Sequence, residues 1–171
     1  MNIILVGHIG SGKTSVGKKL AKIINSDFVD IDDLISNLHS KLKKEKLSVQ
    51  DIFKKYGEEY FRTLEKKAVK KVIHMKNCII STGGGTLEDK ENAEILKKNG
   101  KIIFLEVDID ILAERARNQP SRPIFKGIEP ITALKKMNEK RTPIFKQFSE
   151  VIIDASSNSV DETLSRVMEV I

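Results

Sequence analysis

The stretch Ile3-Ile4-Leu5-Val6-Gly7-His8-Ile9-Gly10-Ser11-Gly12-Lys13-Thr14 decides the architecture. Four consecutive apolar residues, Ile3 to Val6, read as a strand buried on both faces. The next eight follow the pattern G-x-x-x-x-G-K-[ST], and Val16, Leu20, Ile23 and Ile24 then recur at helical spacing. A strand, a glycine-rich loop and a helix in that order make a phosphate cradle. The glycines let backbone N–H groups turn inward around phosphate oxygens, and the helix N-terminus adds its partial positive charge. Gly10, Ser11, Gly12, Lys13, Thr14 and Ser15 are therefore the candidate nucleotide-binding residues. Lys13 is expected to reach the β- and γ-phosphates, and the Thr14 hydroxyl to ligate Mg²⁺. His8 reads as a variable loop residue rather than a catalytic base. The loop alone does not separate a small-molecule kinase from other nucleotide triphosphate users, although the sequence has no N-K-x-D guanine-reading signature.

Outward from this loop, Phe28-Val29, Cys78 to Ile80, Ile102 to Leu105 and Val151 to Ile153 read as further short strands. Phe61, Leu64, Ala68 and Val72 mark one face of a long helix. Val160, Leu164, Val167, Met168 and Ile171 form a closing helical stripe, with Ser159 and Glu162 spaced as a capping box. Apolar strands alternating with helices imply an α/β fold, a five-stranded parallel sheet covered on both faces, with ligands at the carboxyl ends of the strands. The 171 residues suit one domain, 1–171, and 40% hydrophobic content excludes general disorder. The longest uncharged run, Met1 to Gly12, is too short for a membrane helix, and no basic region precedes it as a secretory signal would require. The lone Cys78 excludes a disulfide framework and fits a reducing, cytoplasmic setting. The net charge of +6 comes from 24 lysines and only six arginines. Its densest patch, Lys41, Lys43, Lys44 and Lys46, is broken by Glu45 and has no interleaved aromatic. It reads as a solvated face, with no nucleic acid and no membrane among the expected partners.

The second strand runs into Asp30-Ile31-Asp32-Asp33. On an extended segment Asp30 and Asp32 would share a face. Near a bound Mg·ATP, one carboxylate could support the metal shell and the other accept a hydroxyl proton. The competing reading is a polar strand end that caps the following helix, which is the expectation for Asp33. Downstream, Gly57-Glu58-Glu59-Tyr60-Phe61-Arg62-Thr63-Leu64-Glu65 precedes Ser81-Thr82-Gly83-Gly84-Gly85, and a triple glycine after a strand permits close backbone approach to a ligand.

Taken in order, these elements closely resemble the shikimate kinase family. The shared features are the phosphate loop, F-x-D-x-D at Phe28 to Asp32, F-R-x-x-E at Phe61 to Glu65, T-G-G-G at Thr82 to Gly85, Arg122-Pro123, and R-x-P at Arg141-Thr142-Pro143. The resemblance implies a nucleoside-monophosphate-kinase-like P-loop fold and transfer of the ATP γ-phosphate to the 3-hydroxyl of shikimate, in aromatic amino acid biosynthesis. It also implies an acceptor-binding segment at about 32–62, a lid at about 115–129, Mg²⁺ as cofactor, ATP and shikimate as ligands, and a monomer. By position, Asp32 would hold the acceptor hydroxyls and act as base, and Asp30 would order the metal shell. Arg62 and Arg141 would clamp a carboxylate, Gly83, Gly84 and Gly85 would line the acceptor site, and Phe53 and Phe61 would wall the ring. Arg122 would cover the phosphates and Arg115 would lie near adenine.

Four of the six arginines fall on these positions in a chain that otherwise uses lysine; Arg117 and Arg166 read as surface cations. The chain departs from the family pattern in the lysine-rich segment Leu34 to Ser48, in Ser36, and in Ile144-Phe145 after the R-x-P motif. It also lacks an arginine in Asp154 to Ser159. Gluconate or nucleotide kinases are the competing enzymatic reading, and a nucleotide-dependent binding domain is the non-enzymatic one.

Overall fold

The computed structural model describes residues 1–117, 130–157 and 159–171. Arg122 and most of the expected lid lie outside the described residues. Five strands form one parallel sheet: β1 (Asn2–Val6), β2 (Asp27–Asp30), β3 (Cys78–Ser81), β4 (Gly100–Glu106) and β5 (Val151–Asp154), in the order β2-β3-β1-β4-β5. The helices are α1 (Lys13–Ile23), α2 (Ile31–Lys43), α3 (Val49–Val72), α4 (Lys90–Asn99), α5 (Ile109–Arg117), α6 (Pro130–Phe148) and α7 (Val160–Met168), with a short 3₁₀ turn at Thr86–Glu88.

Strand side chains alternate between two apolar layers, as the pleat requires. Ile4, Val6, Ile80, Ile102 and Phe104 face α2, α3, α4 and α6. Ile3, Leu5, Ile79, Ile103, Leu105 and Ile153 face α1, α5 and α7. Central β1 is buried along its whole length, so its loop opens in the middle of the sheet's carboxyl edge. The chain crosses from β1 to β2, returns through β3 beside β1, then passes to β4 on the other side. That reversal places the loops after β1, β2 and β3 around one crevice.

All five expected strands and the three expected apolar stripes are present, with local differences. Ile23 and Ile24 are exposed at the end of α1, and Met168 and Ile171 at the end of α7, so both stripes stop a turn early. The Ser159 hydroxyl accepts from the Glu162 N–H, but the Glu162 carboxylate bonds Ser157 and Arg166, so only half of the capping box forms. The cap of α2 is Asp30, which accepts from the Asp32 N–H, rather than Asp33. The lysine-rich segment is helical to Lys43 and turns at Lys44 in the left-handed conformation. It is fastened to α3 by Glu45, which accepts from Lys55 and from the Tyr56 hydroxyl. In α6, Pro143 lies inside the helix and denies it one backbone hydrogen bond.

Gly57 divides α3. At φ 83° and ψ 172° it adopts a conformation essentially reserved for glycine, which turns the segment carrying Phe53 away from the one carrying Arg62. A β-carbon there would meet nothing within 4 Å, so substitution costs backbone strain alone. Gly57→Ala is expected to lose about 1–3 kcal/mol of stability, seen as a lower urea midpoint at unchanged m value.

Candidate active site

Two adjoining cavities open at the carboxyl edge of β1, β2 and β3. The first, about 390 Å³, is lined by Gly10 to Val16, Asp30, Ser81 and Arg115, and by residues of the β5–α7 connection. The second, about 300 Å³, is lined by Phe53, Phe61, Arg62, Glu65, Gly83 to Gly85 and Arg141. Ile9, Asp32, Gln50, Gly83 and Gly84 border both. A group in the first cavity therefore meets a group in the second at Asp32.

The first cavity is built by the phosphate loop. Gly12 takes φ 91° as the residue before α1, a left-handed turn that costs glycine little and aims the first helical N–H groups into the cavity. Lys13 is buried, and its ammonium donates to the carbonyls of Gly7 (2.9 Å) and His8 (2.8 Å). The Thr14 hydroxyl donates to Asp30 Oδ2 at 3.0 Å and lies 3.5 Å from Ser81 Oγ. Arg115 ties the loop to the β5–α7 connection, donating to the carbonyls of Gly10, Ala155 and Ser157.

The second cavity has an aromatic wall and a cationic end. Phe53 and Phe61 meet edge to face at 5.6 Å. Arg62 donates from Nη1 to the buried Glu65 at 2.8 Å, and Arg141 donates from Nε to Glu88 at 2.7 Å. Burial alone would raise the Glu88 carboxyl, but Lys140 and Arg141 hold it below its ordinary range. Gly85 lies between the two guanidinium groups. A β-carbon on it would come within 3.1 Å of Arg62 Nη2 and 3.2 Å of Arg141 Nη2. One on Gly83 would sit 3.0 Å from Asp32 Oδ1, and one on Gly84 3.1 Å from Ile9. At each of the three glycines a side chain would fit only if a neighbouring group gave way by a few tenths of an ångström.

Asp32 stands in the first turn of α2 rather than beside Asp30 on an extended face, because β2 ends at Asp30 and the helix begins at once. Both carboxylates nevertheless reach the first cavity. Burial pushes the Asp32 carboxyl up to about 6; Asp30 adds to this, Lys13 opposes it, and Glu65 and Asp33 add smaller contributions.

Every expected site residue within the described part lines one of the two cavities: Gly10 to Ser15, Asp30 and Arg115 the first, Phe53, Phe61, Arg62, Gly85 and Arg141 the second, and Asp32, Gly83 and Gly84 both. Arg166 pairs with Glu162 on the surface of α7. The sequence reading does not include Ile9 and Gln50 at the junction or Glu88 among the site residues, and it names Glu65 only as the end of F-R-x-x-E, without the role of holding Arg62 that the structure shows. Glu65 could have been found from its i,i+3 spacing to Arg62. Nothing local distinguishes Glu88 from a solvated acid.

The fold and the twin cavities define a P-loop small-molecule kinase. A family model for shikimate kinase matches residues 9–171. A shikimate kinase of a Sulfurihydrogenibium species is 37% identical over 97% of each chain, and that of Persephonella marina is 38% identical over 97% of this chain and 98% of its own. Among solved structures, the Acinetobacter baumannii shikimate kinase in complex with shikimate superposes with a TM-score of 0.88 at 27% identity, over 98% of this chain and 90% of that one. The Bacteroides thetaiotaomicron shikimate kinase gives 0.86 at 32% identity, over 99% and 97%. The chain belongs to the shikimate kinase family, ATP-dependent enzymes of aromatic amino acid biosynthesis.

The raised Asp32 carboxyl carries a stability consequence. The folded state binds this proton more tightly than the unfolded chain, whose carboxyl titrates near 4. The native state thus bears no penalty from Asp32 below about pH 4, a growing one between about 4 and 6, and the full penalty above 6. Asp32→Asn is expected to raise stability by about 1–3 kcal/mol at pH 8 and by little at pH 4. Urea unfolding at the two pH values measures the difference.

Proposed function

We propose that this chain transfers the γ-phosphate of ATP to the 3-hydroxyl of shikimate, giving ADP and shikimate 3-phosphate, as a cytoplasmic monomer that uses Mg²⁺. The observation that carries the reading is the convergence of Arg62 and Arg141 on Gly85, in a cavity that meets the phosphate-loop cavity at Asp32. Two planar guanidinium forks facing one glycine fit a single carboxylate, which shikimate bears and nucleoside monophosphates lack. The Phe53 and Phe61 wall suits the apolar face of a small ring.

In this reading the first cavity takes the nucleotide. Gly10, Gly12 and the start of α1 present N–H groups to the phosphates, Lys13 neutralises the moving phosphoryl group, and Arg115 borders the nucleoside end. Arg122, carried over from the family resemblance, would cover the phosphates; it lies outside the described residues. Thr14 Oγ1 beside Asp30 and Ser81 offers hard oxygen donors at the cavity mouth, which suits an ion that keeps several waters and takes its other ligands from phosphate. Thr14 would hold Mg²⁺ directly and Asp30 through its waters, and the ion would neutralise charge on the β- and γ-oxygens. Phosphoryl transfer has a loose transition state, so positioning dominates. Asp32 orients the acceptor hydroxyl and takes its proton, a task suited to a carboxyl raised to about 6. Gly83, Gly84 and Gly85 leave room for the acceptor between Asp32 and the arginines.

ADP release with shikimate, quinate, gluconate, a nucleoside monophosphate and no acceptor tests the assignment. Strong turnover with shikimate alone is expected. Turnover without any acceptor would make the chain a plain ATPase, preference for a nucleoside monophosphate would overturn the carboxylate clamp, and preference for gluconate, itself a carboxylate, would overturn the choice of shikimate while keeping the clamp. Lys13→Ala should nearly abolish transfer in a folded protein, and Asp32→Asn should lower kcat by roughly 10²–10⁴-fold. The kcat/KM for shikimate should decline below about pH 6 as Asp32 takes up its proton.

Arg62→Lys keeps the charge but removes the planar fork, so KM for shikimate should rise by the equivalent of about 1–3 kcal/mol with KM for ATP little changed. Arg141→Lys should behave alike, and the double variant should be non-additive because both grip one group. A rise in the KM for ATP alone would place Arg62 on the nucleotide side.

A further inference from the structure

A side-chain bridge joins the phosphate loop to α6, and no step of the chemistry above uses it. His8, the second residue of the loop, is 2% exposed. Its Nε2 lies 3.0 Å from Thr142 Oγ1, and the Thr142 hydroxyl donates to Asn138 Oδ1 at 2.9 Å. With the hydroxyl hydrogen committed to Asn138, the Thr142 oxygen meets His8 as an acceptor, which assigns the ring proton to Nε2. The ring stands edge-on to Phe145 at 5.2 Å, and Phe145 is buried against Phe104 of β4. Burial, then the charges of Arg141 and Lys13, lower the His8 pKa to about 4, so the ring is neutral where the enzyme works.

His8 is engaged from both ends. Its carbonyl accepts from the Lys13 ammonium and from the Ser11 N–H. Its ring holds Thr142, the neighbour of Arg141. Ile9, next in the chain, borders both cavities, and its backbone nitrogen lies 3.3 Å from where a Gly84 β-carbon would stand. A continuous set of packed groups therefore runs from Lys13 through His8 to the turn of α6 that carries Arg141. Packed chains of this kind carry coupling between two sites when they have two discrete arrangements that both sites bias.

We propose that His8 is a positioning residue that couples the two substrate sites: through Thr142 it fixes Arg141 relative to the phosphate loop, so that a nucleotide in one cavity strengthens acceptor binding in the other. The proposal rests on the assignment of ATP and shikimate to the two cavities. Coupling of this kind is reciprocal, so shikimate must tighten nucleotide binding by the same factor.

Titration calorimetry of shikimate binding, with and without Mg²⁺ and an ATP analogue that cannot transfer its γ-phosphate, measures the coupling. In the wild-type protein the analogue should tighten shikimate binding by about fivefold or more. In His8→Leu the ratio should fall below about twofold, and Thr142→Val should reproduce the loss. His8→Gln, whose amide offers an N–H near the place of Nε2, should restore the ratio, which a purely structural role for the ring would not predict. Should His8→Leu fail to fold, Thr142→Val decides, since it only exchanges a hydroxyl for a methyl group. Coupling undiminished in folded His8→Leu or Thr142→Val, or absent from the wild type, overturns the joint while leaving the substrate assignment standing. Absence of shikimate binding in the wild type overturns both.

Discussion

Two positive charges are held side by side at Gly85, and much of the site is arranged around that constraint. Since both Nη2 atoms come within 3.1–3.2 Å of one point, they lie no more than about 6 Å apart. At an effective dielectric near 20, their repulsion is about 3 kcal/mol. Glu65, buried beneath Arg62, and Glu88, shared by Arg141 and Lys140, offset it. Each carboxylate engages one part of its guanidinium and so sets the direction of the remainder. A carboxylate lying between the two arginines would be attracted by both. Thr86 extends the support, donating to Glu65 while its carbonyl accepts from the buried Asn92.

A second electrostatic tension lies at Asp32. An ionised carboxylate at the junction of two cavities, with Asp30 close by, is unfavourable for the fold, and the same burial makes it a better proton acceptor. The helix lessens the conflict. As an early residue of α2, Asp32 sits where backbone N–H groups and the helix dipole favour negative charge, and its own N–H is taken by Asp30. Asp30 therefore does three things at once: it ends β2, caps α2 and accepts from Thr14. The electrostatic cost described here falls on one carboxyl group.

What was legible in the sequence was what is local. The phosphate loop is written in seven consecutive positions from Gly7 to Lys13 and the hydroxyl after them, because its ligand is held by backbone groups whose placement needs particular residues. The strands were legible because burial on both faces demands unbroken apolar runs. The pair Asp30 and Asp32 was assigned the right cavity on the wrong geometry, since alternation cannot reveal that a strand becomes a helix between them. The ends of α1 and α7 were overextended because Ile23, Met168 and Ile171 keep the helical period after the packing surface has ended. Helix α6 is the element least legible in the sequence. Pro143 argues against a helix there, and Arg141 and Thr142 meet Glu88 and His8, groups far away in the chain.

The role of Lys13 shows how the loop keeps its shape. An ammonium that donates to the carbonyls of Gly7 and His8 ties the start of the loop to the start of α1, and the Ser11 N–H donates to the same His8 carbonyl. The same contact seats His8, whose ring then reaches Thr142. The charge that would meet a phosphate thus also organises the cradle around it, and its influence passes through one peptide unit to the helix bearing Arg141. A lysine at this position is consequently set by two requirements: positive charge toward the nucleotide, and a chain long enough to fold back on its own loop. Arginine would satisfy the first with a rigid planar fork, whereas the ammonium is a compact charge whose rotating donors meet the two neighbouring carbonyls here.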